Sequence, residues 1–179
     1  MHQVKAAPGL SKAAAYRGLN SQLAALLEGE RDGLANAANM AALIFQSLPD
    51  LNWAGFYFLR GGELVLGPFQ GKVACGRIAL GKGVCGTAAG RLETVVVPDV
   101  QAFPGHIACD PMSRSEIVVP VLQGGDLLGV LDVDSPLTAR FDADDASGLR
   151  AAVDMLVQGS ELLPLCSGPS RTGPWHADK

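Results

Sequence analysis

Aromatic residues are scarce in this chain of 179 residues, with two Trp, two Tyr and six Phe. That scarcity removes the row of stacking rings on which single-stranded nucleic acid is held. Basic charge is short as well. Fourteen Lys and Arg against 18 Asp and Glu leave a formal net charge of −4. No basic face is then on offer for phosphates, and a nucleic-acid partner is not expected. The chain has no run of about 18–20 apolar residues that would span a bilayer. Its opening stretch, MHQVKAAPGLSKAAAYRGLN, lacks the apolar segment of a secretory signal. A single Arg and few Ser also make it a poor organellar leader, although it carries Lys5, Lys12 and Arg17 and no acid. Four cysteines without a secretory signal are expected in a reducing compartment, where they are more often catalytic or metal-binding than structural. The cytoplasm is the expected location. No C-x-x-C or similar close pair is present, which argues against structural zinc. No metal and no resident cofactor are expected.

A hydrophobic fraction of 48% with 18% charged residues is that of a globular chain, and its length suits one domain with a proper core. Residues 1–15 read as a flexible leader, 16–163 as the domain, and 164–179, rich in Pro, Gly and Ser, as a disordered tail. Apolar residues recur at helical spacing from Tyr16 to Leu27 and again from Leu34 to Leu48, stopping before Pro49. Strands follow: Trp53 to Leu59, a Gly61-Gly62 turn, and Glu63 to Leu66. Val73 to Leu80 is a broken candidate strand, Gly81 to Ala89 a glycine-rich turn entering a short helix, and Thr94 to Val97 a buried strand. Residues 98–115, with three prolines, read as a long loop of the kind that often carries function. A second hairpin, Glu116 to Leu122 and Leu127 to Val133, precedes a closing helix over Phe141 to Val157, opened by acidic residues that suit a helix N-terminus. The expected fold class is α+β, an antiparallel sheet with N- and C-terminal helices packed on one face.

Cys75, Cys85 and Cys109 each stand in a glycine-containing polar stretch: KVACGRI, GKGVCGTAAG and PGHIACDP. Thiolate chemistry needs exposure and neighbours that lower the thiol pKa, and such stretches supply both. Cys109, in the long loop after His106, reads as an accessible nucleophile whose thiolate His106 could stabilise. Cys85 could serve as a second thiol or simply pack against the glycine turn. Cys166 in the tail reads as incidental. Asp132 and Asp134, two apart in a strand, share a face with Leu128 and Val130. Carboxylates ending a buried row are unfavourable there unless paired or used; the alternative is that both lie past the strand end in solvent. Glu116 joins their face only if the Gly124-Gly125 turn carries a bulge or a third residue, since a plain two-residue loop sets it opposite Val133. Trp53 and Tyr57 share a face across Gly55, either as core rings or flanking a gap that a small ligand could fill. GKGVCG lacks the pattern of a phosphate-binding loop.

Taken together, ALLEGERDGLAN, NWAGFYFL, LGPFQGKVACGRIALGKGVCGTAA, VVPDVQAFPGHIACD, SEIVVPV and GVLDVDSP resemble the free methionine-(R)-sulfoxide reductases, a family built on a single GAF domain. The resemblance runs from about Tyr16 to Val157. It implies reduction of free methionine-(R)-sulfoxide, with Cys109 as the nucleophile left as a sulfenic acid. It also implies that Cys75 resolves that acid as an intramolecular disulfide, that thioredoxin recycles the enzyme, and that Cys85 relays or substitutes. Glu116, Asp132 and Asp134 would hold the substrate ammonium and supply the proton that the sulfoxide oxygen requires. Trp53 and Tyr57 would line the methyl–sulfur pocket. A homodimer is expected from the family. A GAF ligand sensor and a thiol-based peroxide or redox sensor are the competing readings.

Overall fold

A computed structural model describes residues 11–107 and 110–166. Cys109 therefore lies outside the described residues, as do most of the leader and most of the tail. Two helices open the chain, α1 (Lys12–Leu27) and α2 (Gly33–Ser47), followed by the strands β1 (Trp53–Arg60), β2 (Glu63–Gly71) and β3 (Arg77–Ala79). Helix α3 (Gly83–Arg91), β4 (Val95–Val97), β5 (Ser115–Gln123), β6 (Asp126–Ser135), α4 (Ala143–Gly159) and the short α5 (Leu163–Cys166) complete it. The six strands form one sheet in the order β3-β2-β1-β6-β5-β4, antiparallel throughout. None of the helices among the described residues is long and apolar enough to cross a membrane.

Strand alternation divides the sheet's side chains between two apolar layers. Ala54, Phe56 and Phe58 of β1 face one way, with Ile117, Val119 and Val121 of β5 and Leu131 and Val133 of β6. They meet Tyr16, Leu19 and Leu23 of α1, Met40 and Ile44 of α2, and Leu149, Val153 and Leu156 of α4. The N- and C-terminal helices thus cover one face, as the sequence predicts. The other face is covered by α3, through Val84, Cys85, Ala88 and Ala89, against Trp53, Tyr57, Val118 and Val130. Burying both faces is what lets polar groups on the second one be shielded from water.

The helix layer is tied together by Asp145, which is fully buried. It closes a capping box with Asp142 at the start of α4 and accepts hydrogen bonds from Tyr16 Oη at 2.9 Å and Arg140 Nη1 at 3.0 Å. Lys12 completes an ion pair with it. Helix α1 begins at Lys12, inside what reads as leader, because Ser11 caps it, its Oγ accepting from Ala14 N at 3.3 Å. Residues 164–166, assigned to the tail from composition, form part of α5. Leu165 and Cys166 pack on the helix-side core, and Cys166 Sγ donates to Leu128 O at 3.2 Å.

One irregularity decides the site. The β5–β6 hairpin starts in plain register, Gln123 opposite Asp126 and Leu122 opposite Leu127, then slips so that Val121 faces Gly129. Leu128 is the extra residue of a β-bulge. Beyond it every β6 side chain is displaced by one position relative to β5. Glu116 falls opposite Asp134, not Val133. The bulge also turns Leu128 into the helix-side layer, which corrects the expectation that it shares a face with the aspartates. Gly129 follows at the closest approach of β1, where a Cβ would lie 2.2 Å from Tyr57 O.

Candidate active site

Three cross-strand rows lie beneath a cavity, whose floor is made by Glu116, Asp134, Trp53, Asp132 and Tyr57 among them. Glu116, Asp134 and Trp53 are register partners across β5, β6 and β1; Val118, Asp132 and Gly55 form the next row, and Pro120, Val130 and Tyr57 the third. The cleft above them encloses about 510 Å³, open solvent at its mouth included. Its walls are Val73, Ala74 and Ile78 beside β3, Lys82, Gly83, Val84 and Cys85 at the start of α3, and His106, Ile107, Asp110 and Ser113 of the long loop. Residues separated by more than 80 positions thus face one space.

The carboxylates are inside the strand, not past its end. Glu116 and Asp132 are 5% and 7% exposed. Burial, followed by the Asp134 charge, pushes the Glu116 carboxyl well above its ordinary value. Burial and then Glu116 do the same to Asp132, and burial, Asp132 and Asp110 do so to Asp134. Desolvation disfavours the charged form, and like charges a few ångströms apart cannot all ionise. The cluster therefore holds a proton to higher pH than an ordinary carboxyl does. Among the lining residues the basic groups are Lys82 and His106. Lys82 is exposed. His106 Nε2 lies 3.6 Å from Glu116 Oε2, but burial lowers its pKa. At neutral pH it is the uncharged ring, a hydrogen-bond partner and not the cation expected to stabilise a thiolate.

Cys85 departs from the reading of its polar flanks. The GKG turn is exposed at Gly81 and Lys82, yet Cys85, three residues into α3, points down into the sheet and is 3% exposed. Its Sγ donates to Glu116 Oε1 at 3.8 Å. Burial, followed by the Asp132 and Glu116 charges, raises its pKa well above normal, so as placed it is a thiol and not a thiolate. Cys75 is half-buried against the α3-side apolar layer and disulfide-bonded, whereas Cys85 and Cys166 are free.

Trp53 and Tyr57 are where alternation puts them, but no gap separates them. The Trp53 ring stacks on Tyr57 at 6.0 Å and on Phe69 at 5.4 Å, and its Nε1 donates to Lys72 O at 3.1 Å. A Cβ at Gly55 would meet Phe69 Cβ at 2.3 Å and the Trp53 ring at 2.7 Å. The glycine admits the ring, not a ligand. Burial and the neighbouring acids push the Tyr57 phenol up, which keeps it protonated.

Asp110 and Ser113 join the site without any expectation from spacing. Asp110 accepts from Met112 N at 2.9 Å, Asn52 Nδ2 at 3.1 Å and Lys72 Nζ at 3.3 Å. The Met112 amide, first among these, holds its carboxyl below the usual range. Asn52 also donates to Ser113 Oγ at 2.9 Å. The residue before Trp53 therefore fastens the loop that follows Cys109. The only sequence signal was Asp110-Pro111 itself, a turn-forming pair beside the cysteine.

Residues 13–158 match the GAF domain family, whose sheet and helix layers are those described above. The chain is 50% identical over 147 residues to the free methionine-R-sulfoxide reductase of Escherichia coli (strain K12), covering 82% of this chain and 89% of that protein. The X-ray structure of the free methionine-R-sulfoxide reductase of Neisseria meningitidis, in complex with its substrate, superposes with a TM-score of 0.84. It is 45% identical and covers 89% of this chain and 95% of that one. A crystal structure from Burkholderia vietnamiensis described as a GAF sensor protein is 60% identical, with a TM-score of 0.82 and coverage of 84% and 96%. The chain belongs to the GAF-domain family of free methionine-R-sulfoxide reductases.

Proposed function

We propose that the protein reduces free methionine-(R)-sulfoxide to methionine, with Cys109 as nucleophile and Cys75 as resolving thiol. The observation that carries this reading is the Glu116–Asp134–Trp53 row with Asp132 beside it, facing a cavity lined also by Ala74, His106, Ile107 and Asp110, the chain neighbours of Cys75 and Cys109. A free amino acid brings an α-ammonium that buried carboxylates bind well, whereas a methionine within a polypeptide has none. The acidic row therefore favours the free amino acid. The first-turn amides of α3 at Gly83 and Val84, which have no intrahelical acceptor, suit the substrate carboxylate. Trp53 and Tyr57 offer the apolar surface for the methyl group.

The chemistry balances as follows. The Cys109 thiolate attacks the sulfoxide sulfur while a neutral carboxylic acid of the cluster protonates the oxygen. The S–O bond breaks as the protonated oxygen leaves as water, giving a Cys109–sulfonium adduct. A water then attacks the Cys109 sulfur, the S–S bond of the adduct breaks, methionine departs, and Cys109 is left as a sulfenic acid. The Cys75 thiol then attacks that sulfur, water leaves, and a disulfide forms. One sulfoxide is reduced and two thiols are oxidised; a dithiol protein, thioredoxin, returns the two electrons. The disulfide at Cys75, with Cys85 and Cys166 free, agrees with this role. No resident cofactor is required. A homodimer belongs to the same proposal and is read by sedimentation.

The test uses mixed diastereomers of free methionine sulfoxide with dithiothreitol, followed by chiral separation. The R form should disappear and the S form remain. Cys109→Ser should release no methionine, and Cys75→Ser should give one turnover without thioredoxin recycling. Equal loss of both diastereomers, or a methionine burst from Cys109→Ser, would refute the assignment.

A further inference from the structure

No close ligand pair exists along the chain, yet the fold assembles a ligand set on the cavity floor. Cys85 Sγ, an oxygen of Glu116 and an oxygen of Asp132 lie within 4.8 Å of one another, and the Sγ to Glu116 Oε1 separation is 3.8 Å. A tetrahedral zinc ion, with sulfur at about 2.3 Å and oxygen at about 2.0 Å, keeps those two atoms about 3.5 Å apart. Small side-chain adjustments would close the set on a divalent cation. A second observation is independent of the clustering. Asp132, 7% exposed, carries an Oδ1 with no hydrogen-bond partner. A buried acceptor without a donor is unfavourable by about 1–3 kcal/mol, and a cation is one species that relieves it. The neighbouring basic groups are engaged or remote from that atom: Lys72 pairs with Asp110, and His106 approaches the far oxygen of Glu116.

We propose that Cys85, Glu116 and Asp132 bind a thiophilic divalent cation of the zinc type, in competition with the sulfoxide substrate. Binding stands on the geometry alone. Competition rests on the reductase reading, since ammonium and metal then seek the same oxygens. Coordination displaces the Cys85 proton, as metal binding does at any thiol. The sulfur donor selects zinc over magnesium and calcium, which prefer oxygen ligands. Three protein ligands leave a fourth position for water, and a metal seated there closes the cavity to substrate.

Cobalt(II) is the probe, titrated into the full-length reduced protein while thiolate-to-metal charge-transfer absorption is followed. A saturable band should appear, bleach when zinc(II) is added, disappear in Cys85→Ser and persist in Cys166→Ser. Asp132→Asn, which keeps the thiol, should weaken cobalt binding by at least about tenfold; it decides the matter if Cys85→Ser fails to fold. Absence of a band, a band that survives Cys85→Ser but vanishes in Cys75→Ser, or Asp132→Asn at full affinity overturns the site. Added methionine should raise the apparent Kd for cobalt, and an unchanged Kd overturns the competition. Cobalt binding in a protein without reductase activity would sink the reductase reading and leave the metal site standing.

Discussion

Replacing Gly55 with alanine tests whether the aromatic wall of the cavity is a packed surface or a slot. The new methyl would lie 2.3 Å from Phe69 Cβ, 2.8 Å from Phe69 Cα and 2.7 Å from the Trp53 ring. Two of those atoms belong to the β2 backbone or are rooted on it, so relief must come from strand movement or from swinging the indole off its stack. Overpacking of this kind is unfavourable by about 1–3 kcal/mol, and contacts this short belong at the upper end. Reduced freedom of the unfolded chain returns about 1 kcal/mol at most, leaving a net loss of about 2 kcal/mol. For a protein of this size that lowers Tm by about 4–8 °C, read by circular dichroism. Trp53 is the register partner of Asp134, so KM for the sulfoxide should rise more than kcat falls. A Gly55→Ala protein that melts with the wild type would show the rings to be loosely seated, and the slot reading would replace the packed wall.

Two further predictions probe opposite faces of the sheet. Glu116→Gln should stabilise the fold at neutral pH and not in acid. A carboxyl raised in the folded state contributes stability that is full below its unfolded value of about 4.3 and lost as pH rises through the folded value. Glutamine has no such loss, so urea midpoints should diverge with rising pH; a variant weaker than wild type throughout would mean that Glu116 is ionised and paired. Asp145→Ala should lose about 3–5 kcal/mol, because it leaves the buried Arg140 guanidinium unpaired. Its kcat should be unchanged where it remains folded, and a midpoint shift under about 1 kcal/mol would refute the anchoring role.

Much of the architecture could be read along the chain because its strands alternate and its helices repeat at 3.6. The second hairpin shows where that reading stops. Asp126-Leu127-Leu128-Gly129 places two leucines side by side, and both faces of β6 are buried in apolar layers. Hydrophobicity then has no preferred face to enforce, and register is weakly specified by pattern. The slip at Leu128 was legible as one of two alternatives, never as the outcome. Cys85 misled for a related reason: its glycine and lysine neighbours describe the turn before α3, whereas its own exposure is set by which side of that helix meets the sheet. Asp110, Ser113 and Asn52 come together only through loop closure over some 60 residues, and nothing in local spacing announces that.

The same bulge explains why this fold can hold acidic groups that ordinary folding would exclude. In plain register Glu116 would stand among the helix-side leucines opposite Val133, isolated from any partner. The one-residue slip brings it across from Asp134 instead, where the three carboxyls share a cavity and repel one another. Burial first and that repulsion second raise the carboxyl pKa values and weaken the fold as pH rises; in the proposed reaction the same two effects supply the proton for the sulfoxide oxygen. General acid catalysis works best when the acid's pKa lies near the working pH. A carboxyl at its ordinary value would be deprotonated at neutral pH and useless as a donor. The instability expected to be relieved in Glu116→Gln and the proton proposed for reduction therefore share one origin, burial of carboxyls beside one another.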